Sequence, residues 1–400
     1  MANAYTDTSS GSFGGTVGGA GLVQKAYDRL LEFALRSEPL IRSVADKRPA
    51  RQAIPGSTVV LQKYVDLDTV TGTLTETVDP DAVALTTPTS VTVTLNEYGN
   101  AVLVTRALEL FSLADVDPAI ANIIAYNLAD SIDKVAMTTL RSGTNNIFSG
   151  TATSTATIAA TSTLDSADIR KAVAKLRSNK AKGRRGAAYW VGIHPEVSHD
   201  LRAETGDLGW RYPQSQSASE ASKIWAGEIG EYEGAFFVES SRLFNAKSGA
   251  DQSALATTAV TVAGVSAAFT FGVASSSVIA ARAEVGDKIA GTGIGTSAKI
   301  TALSTTGSTT TITVDVANSA AVTATTTVTV TPVTRVFDTI VAGSQAMAEA
   351  VAEEPHVVIG NVTDKLMRFR PMGWYGVLGF AVYRDEALYR ITSGSSIAAL

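Results

Sequence analysis

Residues 305–332 read TTGSTTTITVDVANSAAVTATTTVTVTP, and Asp315 is the one charged group among them. Ile312, Val314 and Val316 share one parity, and Thr311, Thr313 and Asp315 share the other. Further on, Val328 and Val330 alternate with Thr327, Thr329 and Thr331. A period of two gives a strand one apolar face and one hydroxyl face. Threonine is β-branched and suits an extended backbone, and its hydroxyl keeps the outer face wet without charge. Asn318-Ser319 between the runs is turn chemistry. The segment therefore reads as antiparallel β structure. Its Ala/Thr/Ser/Val/Gly composition extends over 246–333, and large side chains return after it. Along 374–383 both parities are apolar, with Trp374, Leu378, Phe380 and Val382 on one and Tyr375, Val377, Ala381 and Tyr383 on the other. A strand apolar on both faces belongs to a core. A host fold thus resumes beyond the β-rich module, so the module is inserted, not appended.

The host has both element types. LVQKAYDRLLEFALRSEPLIRSVADKR opens a helix with Val23, Tyr27, Leu30 and Ala34 on one face, interrupted at Pro39. Residues 55–106 are strand-rich, and Val91, Val93 and Leu95 alternate with polar neighbours. Their middle, 66–88, is polar and Thr-rich, with a turn signal at Asp79-Pro80. A long two-stranded excursion of this kind is marginal alone and needs something else to lie against. DVDPAIANIIAYNLADSIDKVAMTTLRSG (115–143) reads as a long helix. Asp117 is its cap, Pro118 sits in the first turn, Gly143 ends it, and Ile120, Ile124, Leu128 and Val135 line one side. Residues 164–245 read as a compact α/β piece. It holds a helix capped by Asp165 with Ile169, Val173 and Leu176 inward, a buried strand AAYWVGI, a short helix from Pro195 and a strand YEGAFFVES.

Four hundred residues suffice for two or three domains with their own cores. The net charge of −5 and the lack of a basic block argue against a nucleic-acid-gripping surface. With no cysteine, disulfides and thiolate metal sites are excluded. MANAYTDTSSGSFGGTVGGAG lacks a basic start and an apolar core, and reads as a flexible arm rather than a signal peptide. Residues 252–281 are uncharged, but nine of them are Ser or Thr and large aliphatics are sparse, which disfavours a membrane span.

The motifs that invite chemistry fail on spacing. His194 and His199 lie about 140° apart around a helix, not on the one face that a two-histidine zinc motif needs. Only His356 remains elsewhere. GTGIGTSAKI (291–300) lies in Thr-rich β sequence, without the strand before and helix after that a nucleotide loop requires, and reads as turn glycines. DLDTVTG (66–72) lacks the Gly and Glu of a calcium loop. No nucleophile elbow occurs. NKAKGRRG (179–186) clusters Lys180, Lys182, Arg184 and Arg185. It suits a helix C-terminus first, and contact with an acidic neighbour or phosphate second. No catalytic, cofactor-binding or metal-ligating residue is assigned, and no enzyme activity is expected.

The landmarks, taken in order, are YDRLLEFAL, LNEYGNAVLVT, LRSGTNN, VGIHPEVSHDLRAE, GEIGEYEGAFFVES and GWYGVLGFAVYRDEALYRI. In that order and spacing the chain resembles the major capsid proteins of tailed bacteriophages, over about 20–245 and 334–395. The resemblance implies an α+β fold, the tailed-phage major capsid fold; the sequence departs from the simplest members at 246–333, where the composition marks an inserted all-β domain. The implied division is an N-terminal arm and helix (1–54), an extended β loop (55–97), a peripheral domain with a long spine helix (98–163) and an axial domain (164–245). An inserted β-rich surface domain (246–333) and a return to the axial and peripheral core (334–400) complete it. The small-module pattern VGDKIAGTGI…ITVDV also looks like β modules of phage and bacterial surface proteins.

That resemblance implies a structural protein assembling as hexamers and pentamers into an icosahedral shell around double-stranded DNA. Its expected place is the virion capsid, after assembly in the bacterial cytoplasm. The extended loop would lie across a neighbouring subunit. About twenty residues precede the first helix, too few for a built-in scaffold, so a separate scaffolding protein is expected, with a portal and room for a decoration protein. Contact with packaged DNA should be weak and non-specific, and no membrane is involved. The alternative is a surface-exposed β-rich virion or adhesin-like binding protein.

Overall fold

The structure, a computed structural model, describes residues 6–7, 12–13, 36, 39–49, 58–106 (except 68, 75, 78, 80–82 and 86), 116–204, 231–360, 366 and 368–397. The expected first helix with Val23, Tyr27, Leu30 and Ala34, and the motif GEIG, lie outside these residues. Near the start, β1 (Thr6–Asp7) and β2 (Ser12–Phe13) pair antiparallel. The chain divides into two compact units. One takes in 1–36, 97–130 and 354–376, the other 37–96, 131–353 and 377–400.

In the first unit, the main part of β6 (Asn96–Thr105) neighbours β20 (Phe369–Val382). The motifs NEYGN and GWYG meet there. A Cβ on Gly99 would lie 2.8 Å from the Trp374 carbonyl oxygen, and one on Gly373 would lie 2.5 Å from that of Asn100. Both positions need glycine because the two backbones approach too closely for a side chain. The first part of helix α1 (Val116–Arg141) contributes Ile124 to a small core with Val104, Met372 and Trp374. The Trp374 indole N–H donates to Asn127 Oδ1 at 2.9 Å, so the ring is buried with its polar edge satisfied.

α1 begins at Val116, which places Asp117 inside the first turn; the Asp117 side chain lies outside the described residues. Its 26 residues correspond to about 39 Å. Ile120, Ile124 and Leu128 face the small core as expected. In the second unit the buried row continues through Ile132, Ala136 and Leu140, and Val135 is only half-buried. Asp133 and Met137 are buried beside that row, so the inward face runs along 132–133, 136–137 and 140, and Val135 lies at its edge.

The second unit is built on a seven-stranded mixed sheet. Its order is β7 (Asn146–Phe148), β21 (Leu388–Ser393), β18 (Val333–Ala342), β8 (Tyr189–Ile193), β10 (Ala235–Glu239) and β9 (Glu231–Tyr232), with β11 (Phe244–Asp251) also on β18. β8 is buried along its whole length because both sheet faces are covered. Tyr189, Val191 and Ile193 pack with Ile169, Val173 and Leu176 of α2 (Ser166–Ser178) and with Val197 and Leu201 of α3 (Pro195–Ala203). Trp190 points the other way, into a core with Ile41, Val44, Met137, Leu140 and Ile340. Asp165 caps α2, accepting from the Asp168 N–H at 2.8 Å. β3 (Ala45–Pro49) runs parallel to the start of β19 (Met347–Ile359).

The Thr-rich region forms a six-stranded sheet, all of whose recorded pairs are antiparallel. Its order is β14 (Lys288–Gly291), β17 (Thr327–Thr331), β12 (Thr258–Val262), β13 (Thr270–Ala274), β16 (Thr309–Val314) and β15 (Ile300–Thr306). Ile312, Val314, Val328 and Val330 are buried with Phe271, Val273 and Ile289, so these two runs keep the expected inward parity. Val316 does not: β16 stops at Val314 and Val316 is exposed. The two alternating runs do not pair with each other; β16 pairs with β13 and β15, and β17 with β12 and β14. Asn318 is buried, its N–H donating to Ala268 O at 2.8 Å and its side-chain amide to Val265 O at 3.3 Å. It anchors a crossing loop instead of making a hairpin turn. The segment leaves and rejoins the host sheet at neighbouring points, since Asp251 pairs with Val333 and the Gln252 N–H donates to Pro332 O at 2.8 Å.

Candidate assembly surface

β4 (Thr58–Lys63) and β5 (Thr89–Thr94) form a two-stranded antiparallel hairpin in register from Thr58↔Thr94 to Lys63↔Thr89. On the stem, Val93 is buried. Beyond it, Val70, Leu74, Val83 and Leu85 are 81%, 76%, 78% and 64% exposed, and Tyr64, Val65 and Leu67 are exposed as well. Aliphatic groups this open are normally scattered singly on a soluble surface. Here they follow one another along a single excursion, a candidate interaction surface.

The motifs weighed for chemistry have structural work. His194 is the N-cap of α3, with Nδ1 accepting from the Glu196 N–H at 3.3 Å, and its ring lies 4.7 Å from that of Phe337. Burial, with the Arg335 cation adding to it, pushes its pKa down to about 4. A neutral imidazole is what the cap needs, because a protonated Nδ1 cannot accept. His199 is on α3 with Nδ1 3.4 Å from Asp200 Oδ1. Asp200 Oδ2 in turn accepts from the Ser396 N–H at 2.8 Å. The described residues include no group of three His, Cys, Asp or Glu side chains able to hold a metal ion. Gly293 has a φ of +87° next to β14, in a turn between strands. After α2, Lys180 takes a φ of +56°, and the Ala181 N–H closes the helix on Leu176 O at 3.0 Å. Arg184 lies 3.5 Å from Asp46, and its guanidinium donates to Ser43 O at 3.0 Å. LRSGTNN and YRDEALYRI also interlock. The Thr144 N–H donates to Asp385 Oδ1 at 3.0 Å, and the Asn145 amide donates to Asp385 O at 2.7 Å.

The sheet carrying this lattice is held by buried charges. Asp338 is fully buried between Arg141, 3.0 Å away, and Arg390, 4.0 Å away. Burial raises its pKa against the pull of both guanidiniums. Glu349 is fully buried and meets Arg42 at 2.6 Å. These pairs fix strand positions.

The sequence profile of the family described as phage capsid protein matches residues 88–293, more than half of the chain. The chain belongs to the phage capsid protein family. None of the curated proteins compared matches it. Solved structures agree on the fold. The capsid of cyanophage P-SCSP1u superposes with a TM-score of 0.58 at 14% identity, covering 99% of this chain and 100% of that one. The capsid of Ralstonia phage GP4 gives 0.56 at 13% identity, with 93% and 95% covered. A chain of Mycobacterium phage Che8 gives 0.53 at 14%, with 92% and 96% covered. This capsid protein therefore has a mixed helix-and-sheet phage capsid fold and a structural role in the virion capsid, in a family that is not one of enzymes. No helix among the described residues is long and apolar enough to cross a membrane.

Proposed function

We propose that this capsid protein is a major shell subunit that assembles as hexamers and pentamers into a closed icosahedral shell around double-stranded DNA. The observation that carries the reading is the hairpin excursion, whose Val70, Leu74, Val83 and Leu85 are open to solvent in the single chain. Burying such groups against a neighbour is favourable by about 25 cal/mol per Å². In this reading the hairpin is the extended loop that lies across the next subunit, α1 is the spine, and the seven-stranded sheet belongs to the axial domain. The six-stranded sheet is an inserted module; its departure and return at Asp251 and Val333 support that, and its outer hydroxyl faces suit the outside of the shell. Assembly takes place in the bacterial cytoplasm with a separate scaffolding protein and a portal, and a decoration protein is a compatible addition. Contact with DNA is weak, because the chain is net acidic at −5.

Deleting 66–88 tests the reading. The shortened subunit should remain soluble, with an unchanged circular dichroism spectrum and melting transition, and negative-stain microscopy should show no shells. Shells at wild-type yield would refute the loop's role.

A further inference from the structure

Beyond Lys63, at the end of β4, the excursion carries charge of one sign. From Tyr64 to Thr105 the chain carries Asp66, Asp68, Glu76, Asp79, Asp81 and Glu97 and no Lys or Arg. Asp66, Glu76 and Asp79 are exposed. Where the loop leaves the β4–β5 stem at Lys63 lies a cleft of about 470 Å³ lined by Lys63, Asp66, Lys180, Lys182, Arg384 and Glu386, among others. Lys63 is already engaged, its Nζ 2.9 Å from Glu386 Oε1. Lys180 and Lys182 are exposed, and neither they nor Arg185 forms an ion pair with a described residue. Their loop is held in place: Lys180 sits in the left-handed region, and the Ser344 N–H donates to Lys182 O at 2.8 Å. The cleft thus presents two lysines on a held backbone, neither in an ion pair with a described residue.

The hairpin's own tip does not line this cleft. Asp66 does, but Glu76 and Asp79 lie ten and thirteen residues further along the chain. Residues 64–88, doubled back and fully extended, span at most about 40 Å. The acidic Glu76–Asp79 end and the basic cleft are two different surfaces of one chain. A contact joining such different surfaces is head-to-tail, and repeating it closes a ring when the rotation allows.

We propose that the acidic Glu76–Asp79 end of one copy's excursion docks in the basic cleft at Lys180 and Lys182 of a second copy. This deepens the assembly reading above and rests on it. Exposed aliphatic groups supply most of the attraction as they leave water, and the charges select the partner and its register. A second copy is the favoured occupant because the acids, the cations and the uncovered aliphatics all occur on one chain. DNA at the same cations is the competing outcome of the test.

The experiment is a charge exchange, read as shell yield by sedimentation and microscopy in nuclease-treated preparations. Lys180→Glu with Lys182→Glu should leave the subunit folded by circular dichroism and lower shell yield at least about tenfold. Glu76→Lys with Asp79→Lys should do the same. The four changes together should restore at least half of the wild-type yield. Lys180→Gln with Lys182→Gln, which removes charge without reversing it, should fall between wild type and reversal. Rescue by the fourfold variant supports the docking. If either reversal assembles like wild type, the docking is overturned while the shell reading stands. Loss in both pairs without rescue, or a defect that appears only with DNA present, also overturns it. Wild-type protein that forms neither capsomers nor shells would overturn the assembly reading and the docking with it.

Discussion

Replacing Asp287 by alanine should loosen the six-stranded sheet from the sheet that carries it. Asp287 is fully buried, and its carboxylate is a three-way junction. Oδ1 accepts from Lys247 Nζ at 2.8 Å, on β11, and from the Val333 N–H at 3.1 Å, at the start of β18. Oδ2 accepts from the Glu284 N–H at 2.8 Å, beside the short helix α4 (Val278–Arg282). The alanine variant leaves two backbone donors without this acceptor and a nearly buried ammonium with one carboxylate, Glu284 at 2.7 Å, which is itself 47% exposed. Each donor buried without a partner costs about 1–3 kcal/mol, and breaking a buried ion pair costs about 3–5 kcal/mol. These terms overlap, so the expected loss is about 3–5 kcal/mol. Asp287→Asn keeps one acceptor oxygen and should lose about half of that. The assay is scanning calorimetry with limited proteolysis. The module has its own core around Phe271, Ile312 and Val330, so the variant should show an earlier transition with cleavage near 252 and 332 and a host transition little changed. An alanine variant within about 0.5 kcal/mol of wild type, with unchanged cleavage, would refute Asp287 as the junction.

Two further outcomes follow from the geometry. His194 has a folded-state pKa of about 4, below the ordinary 6.5, so the unfolded chain binds the extra proton between these values. Stability should be full above about pH 6.5 and fall by on the order of 2 kcal/mol as pH drops toward 4, allowing for solvent screening; urea melts across pH 4–8 check this, and His194→Asn, which keeps a cap, should flatten the slope. Gly373→Ala would place a methyl 2.5 Å from Asn100 O and 3.0 Å from Ala101 Cα, so denaturant melts should show a loss of about 1–3 kcal/mol, and an unchanged midpoint would mean that β6 and β20 are not so closely apposed.

The sequence by itself settled what is local. Alternation located β5, β16 and β17 and told which side of each faces inward, because side-chain parity is a property of the strand alone. Helical spacing and a capping aspartate likewise located α2 with its buried Ile169, Val173 and Leu176. The order of motifs carried the resemblance to capsid proteins. The excursion's lack of its own core was legible as a deficit of apolar residues between 66 and 88, and the few present, such as Val70, Leu74, Val83 and Leu85, are open to solvent. Only the tertiary structure decided partnership. Parity cannot say which strand lies alongside, so the two Thr-rich runs, adjacent in sequence, separated to opposite halves of their sheet. Gly99 and Gly373 are ordinary glycines until two distant backbones are pressed together. The spacing of His194 and His199 already argued against a metal site and the helix from Pro195 was legible, but only the fold showed the His194 ring capping that helix and packing on Phe337. Lys180 and Lys182 looked like a helix end, and became part of a cleft with Lys63 and Asp66 at the loop-side end of the hairpin stem and with the 384–386 turn. Each of these depends on groups brought together across long stretches of chain, where the competition among alternative contacts, not the local pattern, sets the outcome.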